Sequence, residues 1–262
     1  MDFATIIGFV AALVIIVGAM YHQTHGHLMG FYSTEGVLLV IVGSACATMM
    51  SMPMKNFLST FRVMGKCLFY REIPLTEALM QLVEFAGVAR KDGVLALEGR
   101  LEEVAEPFLA KGLRMVIDGQ DHEAVETSLR LELFSQSERH AIGKKVFAVM
   151  GNYAPAFGLT ATIIGQVVMF QNMGSDIAAI GGGLSVALLG TLYGSLFANM
   201  LCLPLADKLG IRANQESMLK ELYLQGIMGI AAGNSPNELK QTLLSFLDGR
   251  TATRMEQSSQ SG

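Results

Sequence analysis

Apolar and polar positions divide the chain into long unbroken apolar runs and stretches where apolar residues recur every three or four places. Four runs stand out, at about 4–21, 35–54, 149–171 and 177–205. Each can cross a hydrocarbon core of about 30 Å as a helix of about 20 residues. From 55 to 145 the pattern changes. PLTEALMQLVEFAGVAR and VLALEGRLEEVAEPFLAKGLRMVI carry apolar residues at helical spacing with polar ones between, which predicts amphipathic helices and no strand in this block. Asp92-Gly93 and Asp118-Gly119 read as helix ends. One helix is expected from about Asp121 to Ser135 and another from about Ser137 into the third apolar run.

Beyond Pro204 a helix is expected to continue through ADKLGIRANQESMLKELYLQGIMGIAAG. Ser235-Pro236-Asn237-Glu238 then forms a capping box, with Ser at the N-cap, Pro at the first helical position and Glu two residues later. The tail RTATRMEQSSQSG is polar and is expected to be disordered. The predicted fold is all-α: a polytopic membrane protein with four transmembrane helices and a helical cytoplasmic domain between the second and third. The expected divisions are a first transmembrane hairpin with a short external loop (1–54), a cytoplasmic helical domain (55–145), the second transmembrane pair (146–207), and cytoplasmic C-terminal helices with the tail (208–262).

Composition agrees: the chain has 262 residues, 51% of them hydrophobic and 16% charged, with a mean hydropathy of +0.42. Charge then orients it. Lys and Arg are absent from 1–54 and from 146–207; thirteen fall in 55–145 and six in 208–262. Basic residues near membrane ends stay cytoplasmic, so both termini and the central block are placed there, with loops 22–34 and 172–176 external. Met1-Asp2-Phe3 offers no basic n-region, so the first run reads as a retained helix.

A net charge of −4 gives no footprint for nucleic acid. Cys46, Cys67 and Cys202 match no zinc or redox spacing, and His22, His25 and His27 read as solvated loop residues, so no metal site or cofactor is expected. With no HExxH, P-loop or nucleophile elbow, an enzyme is not expected.

The second transmembrane pair is not a plain anchor. Its first run carries Thr160, Thr162 and Gln166; its second carries Ser185, Thr191, Tyr193, Ser195 and Asn199. Glycine or alanine at 183, 187, 190, 194 and 198 makes one small-residue face, including the GxxxG pair Gly190 and Gly194, which suits close helix packing. The hydroxyls fit either such packing or a wet path between helices. No Asp, Glu, Lys, Arg or His lies inside the four runs, with Glu35 and Asp176 at their external ends. An ion coupled to work needs a buried ionisable group. If this chain conducts, a partner's membrane helix must bring the carboxylate.

APAFG at 154–158, ATIIG at 161–165, VALLGTLYGSLFAN at 186–199, PLADKL at 204–209 and ARKDGVLALE at 89–98 resemble the MotA/PomA family of flagellar stator A subunits. The ARKxGxLALE stretch separates this family from its ExbB/TolQ energy-transducing relatives, whose non-flagellar envelope role is the alternative. The resemblance implies an inner-membrane, ion-conducting stator subunit. It also implies a ring of A subunits (five in this family) around two B-subunit helices of the MotB/PomB type. Each B helix carries the ion-binding aspartate, and the B subunit holds peptidoglycan. Ion flow, Na⁺ or H⁺, turns the ring against the rotor's switch complex (FliG). By matching motif, Thr162 and Thr191 face the ion path as in sodium-driven members, and Pro155 and Pro204 couple ion passage to conformation. Arg90 and Glu98, assisted by Lys91, contact the rotor. Thr160 and Gln166 depart from the family pattern, which is usually aliphatic there.

Overall fold

A computed structural model describes residues 3–60, 73–174 and 177–260; Cys67 and Asp176 lie outside them. Every regular element among the described residues is helical. In chain order these are α1 (Phe3–Gln23), a 3₁₀ turn (Leu28–Phe31), α2 (Thr34–Met50), α3 (Leu75–Asp92), a 3₁₀ stretch (Val94–Glu103) and α4 (Pro107–Ile117). After them come α5 (His122–Gln171), α6 (Ile177–Leu196), a π turn (Phe197–Cys202), α7 (Leu203–Ala231), α8 (Pro236–Leu244) and α9 (Gly249–Gln260). Residues 54–60 are helical as well. Four helical stretches, Ile6–Gln23, Leu28–Met50, His122–Gln171 and Ile180–Ala231, are long and apolar enough to cross a membrane.

The chain forms two compact units, Met1–Tyr70 with His140–Ile211 and Arg71–Arg139 with Arg212–Gly262. The first holds the apolar helices. Its interior holds two apolar clusters: Val40, Ala154 and Ala198 form one of small groups, and Phe147, Met150, Cys202, Ala206 and Leu209 another. α2 packs against α6, with Gly36 and Val40 beside Tyr193, and its buried stripe Gly36, Val40, Ser44 and Thr48 is spaced four apart. The two hydroxyls on that stripe are satisfied inside their own helix, Ser44 donating to Ile41 O at 3.1 Å and Thr48 to Ser44 O at 2.7 Å. Ser33 caps α2 by accepting from Gly36 N at 3.2 Å. α1 instead exposes Ile7, Val14 and Ile15 at 61–70%, as a helix facing lipid should.

The second unit is built like a water-soluble domain. Leu79, Leu82, Phe85, Leu109, Leu113, Leu222, Tyr223 and Ile227 are buried in one core drawn from α3, α4, α7 and α8. α3 ends where expected: Gly93 takes φ +82°, in the region that favours glycine, and turns the chain into the 3₁₀ stretch. Ser235 accepts from Glu238 N at 3.2 Å, as the capping box predicts.

Two expectations are corrected. The break between Ser135 and Ser137 does not exist; α5 runs unbroken from His122 to Gln171. Gln136 is held there as a side-chain partner of Glu216 and Lys220, so a polar interruption of the apolar pattern stays helical. The tail is not disordered from Arg250 either. α9 is helical because Thr251 N donates to Asp248 Oδ2 at 3.3 Å, Ala252 and Met255 pack on the core, and Lys240 Nζ donates to Met255 O at 3.1 Å.

Candidate functional site

α5 and α6 meet along two complementary rows of small residues. Gly183, Ala187, Gly190, Gly194 and Ala198 are buried on one side; Gly151, Ala154, Gly158, Ala161 and Gly165 are buried on the other. A Cβ added to Gly194 would lie 2.7 Å from Ala154 O, and one added to Gly158 would lie 2.8 Å from Gly190 O. A Cβ on Gly190 would overlap that of Ala161. Backbone therefore approaches backbone along the whole seam, which only glycine and alanine permit. The α6 row was legible in the sequence. The α5 row, spaced three and four like its partner, is not evident from the sequence because Pro155, Thr160 and Thr162 interleave with it.

At one edge of this seam Thr162 and Thr191 meet, their hydroxyl oxygens 2.5 Å apart. Thr162 Oγ1 also lies 2.9 Å from Ala187 O and 3.2 Å from Gly158 O, and Thr191 Oγ1 lies 3.5 Å from Gly158 O. Each hydroxyl has one proton. Thr191 donating to Thr162, with Thr162 donating to Ala187 O, uses both and leaves Thr191 lone pairs open to the outside. Thr162 is half-buried and Thr191 exposed, so the pair forms a rim of oxygens rather than a sealed contact. Oxygen-only surroundings suit hard cations.

Both prolines are exposed, Pro155 on α5 and Pro204 at the second position of α7. Pro155 does not end α5. It sits well inside the helix, opposite Gly194, whose added Cβ would be 3.2 Å from Pro155 Cα. Lacking an N–H, it leaves the carbonyl of Gly151 without its usual donor. Pro204 follows the π turn Phe197–Cys202 with Leu203 between them, and its missing donor accounts for the wider turn before it. Asn199 in that turn donates to Ser195 O at 2.9 Å.

Tyr193 is a further functional position that sequence reasoning passed over as one polar residue among several. Its hydroxyl donates to Phe31 O at 2.5 Å and accepts from Ser33 N at 2.9 Å, and its ring covers Gly36. One side chain of α6 thereby fixes the loop between α1 and α2.

In the second unit Arg90 and Lys91 end α3 and Glu98 lies beyond the Gly93 turn. All three are exposed, and none makes an ion pair among the described residues. Nearby Arg100 is engaged, reaching Glu84 at 2.5 Å and Glu103 at 2.8 Å. Glu103 is therefore already paired, though exposed like its neighbour Glu102. No group of three His, Cys, Asp or Glu among the described residues could hold a metal ion.

Fold and site together define a polytopic helical membrane protein organised around a tightly seamed, hydroxyl-edged helix pair. The MotA/TolQ/ExbB proton channel family matches residues 100–222. Chemotaxis protein PomA of Vibrio alginolyticus is 33% identical over 258 residues, covering 98% of this chain and all of that one. Motility protein A of Cereibacter sphaeroides is 34% identical over 248 residues, covering 95% and 96%. Among solved structures, C. jejuni MotAB superposes with a TM-score of 0.86 at 28% identity, covering 95% of this chain and 97% of that one. The flagellar MotAB stator complex from Bacillus subtilis gives 0.86 at 27%, covering 96% and 98%. The chain belongs to the MotA/TolQ/ExbB proton channel family, in its MotA/PomA branch of flagellar stator A subunits. That is a family of ion-channel subunits and not of enzymes.

Proposed function

We propose that this chain is the A subunit of a sodium-driven flagellar stator in the bacterial inner membrane. It works with a B subunit whose single membrane helix supplies the ion-binding aspartate. The observation that carries this reading is the oxygen rim of half-buried Thr162 and exposed Thr191, on a helix pair that contains no Asp, Glu, Lys, Arg or His among its described residues inside the apolar stretch. The rim can share an ion's solvation but cannot bind or release a proton. A second polypeptide must add the acid.

The rest of the assembly follows from charge and exposure. The Lys and Arg distribution supports cytoplasmic termini and a cytoplasmic 55–145 block. The exposed face beside the seam supports a ring of A subunits, five as in the family, enclosing two B helices. Pro155 and Pro204, each removing a backbone bond, one within α5 and one just after the π turn, support a flexing of these two segments as ions pass. Arg90, Lys91 and Glu98, exposed and without ion-pair partners among the described residues, support a charged contact with the rotor's switch complex, FliG. Swimming speed measured against external sodium at fixed pH tests the proposal. Speed rising with sodium supports it. Unimpaired swimming after deletion of the gene would favour a non-flagellar transducer of the ExbB/TolQ kind.

A further inference from the structure

Gln166 lies inside the apolar stretch of α5, exposed, with no hydrogen-bond partner among the described residues. Thr160 on the same stretch donates to a carbonyl of its own helix and Thr162 to a carbonyl of α6; the Gln166 amide, with two donors and an acceptor, makes no such bond among the described residues. Five residues, about 7.5 Å of helix rise, separate it from the last residue of α5. That distance puts it inside the hydrocarbon zone, where an unpaired amide facing lipid is strongly disfavoured.

Its position around the helix says what it faces instead. With about 100° per residue and Thr162 as zero, Pro155, Gln166 and Asn152 fall at roughly +20°, +40° and +80°. The small residues of the seam, from Gly151 to Ala161, fall at roughly −20° to −100° on the same count. Gln166 thus stands one turn beyond Thr162, along the same edge of the seam. On α6, Ser195 falls at roughly +40° from Thr191 while its seam residues fall at negative angles. Because α5 and α6 run antiparallel and touch through Thr162 and Thr191, both positive edges open to the same side of the pair. Gln166 is therefore on the rim's side and on its outward half in the proposed orientation.

We propose that Gln166 is a specificity-determining residue of the ion path, its side-chain amide replacing a water in the shell of the sodium ion as it enters from outside toward the Thr162–Thr191 rim. This rests on the stator reading above. The amide carbonyl provides a neutral oxygen for the cation, and the NH₂ group is free to bond the water left behind. No proton is transferred and no bond is made or broken.

The test uses the full A–B complex in a motile host, with swimming speed titrated against external NaCl at fixed pH and B-subunit co-purification followed in parallel. Gln166→Leu, similar in volume, should raise the sodium concentration for half-maximal speed about 2- to 10-fold, the loss of one modest hydrogen bond. Maximal speed at saturating sodium and co-purification should persist. Gln166→Glu, which keeps the carbonyl oxygen, should hold the parent's sodium dependence or lower the concentration needed. An unchanged titration for Gln166→Leu overturns the inference, as does loss of the B subunit on purification, which would assign the amide to docking. Indifference of the parent complex itself to sodium would instead overturn the sodium-driven function on which the inference rests.

Discussion

Thr162 Oγ1 and Thr191 Oγ1 lie 2.5 Å apart across the α5–α6 seam. Valine at either place keeps the shape and removes the oxygen. Thr162→Val also loses a bond to Ala187 O, a packing cost of about 1 kcal/mol. Complexes carrying either variant should assemble normally, yet swimming speed at fixed sodium should fall severalfold. Normal speed in both would leave the hydroxyls as glue.

The seam predicts a compensating pair. Gly190→Ala brings a methyl against that of Ala161 and should destabilise the complex by about 1–3 kcal/mol. Adding Ala161→Gly should restore most of the loss. Gly194→Ala meets the Ala154 carbonyl instead, so no side-chain change should rescue it. Thermal unfolding of the purified complex in detergent measures all three.

Tyr193→Phe keeps the ring over Gly36 but loses the bonds to Phe31 O and Ser33 N. The cost should be about 1–3 kcal/mol, with faster hydrogen exchange concentrated at the amide of Ser33.

Arg90→Glu and Glu98→Lys alter exposed residues without ion-pair partners among the described residues. Membrane levels and B-subunit association should be unchanged while torque falls. A matching charge reversal on the rotor should recover it. Arg100→Ala, by contrast, breaks solvent-exposed pairs and should cost at most about 1 kcal/mol.

Burial holds the half-buried Glu106 carboxyl above its ordinary value of 4.5, opposed by Lys220 and reinforced by Glu216 and Glu132. The folded chain then binds this proton more tightly than the unfolded one. The group's contribution is therefore present below the ordinary value and is lost as pH rises through the raised one. Glu106→Gln should unfold at a higher temperature than the parent at neutral pH, and the two should converge in acid.

The membrane helices, the Gly93 break and the Ser235 cap could be read from the chain because each rests on local pattern. What could not be read depends on partners distant in sequence. Gln136 looks like a helix end until Glu216 and Lys220 supply its bonds. Met255 looks like part of a disordered tail until Lys240 bonds its carbonyl. Thr162 and Thr191 were singled out by residue type and by resemblance, but their contact across the seam needed both small-residue rows, and only one had been recognised. Gln166 was visible as a polar residue; its lack of a hydrogen-bond partner was not.

On the proposed function, this helix pair presents a non-titrating oxygen rim to an acid carried by another chain. A density map of the complex purified from native membranes tests it directly. The helix of a second polypeptide, bearing an aspartate, should pack against Thr162 and Thr191. Lipid tails filling that space would contradict it.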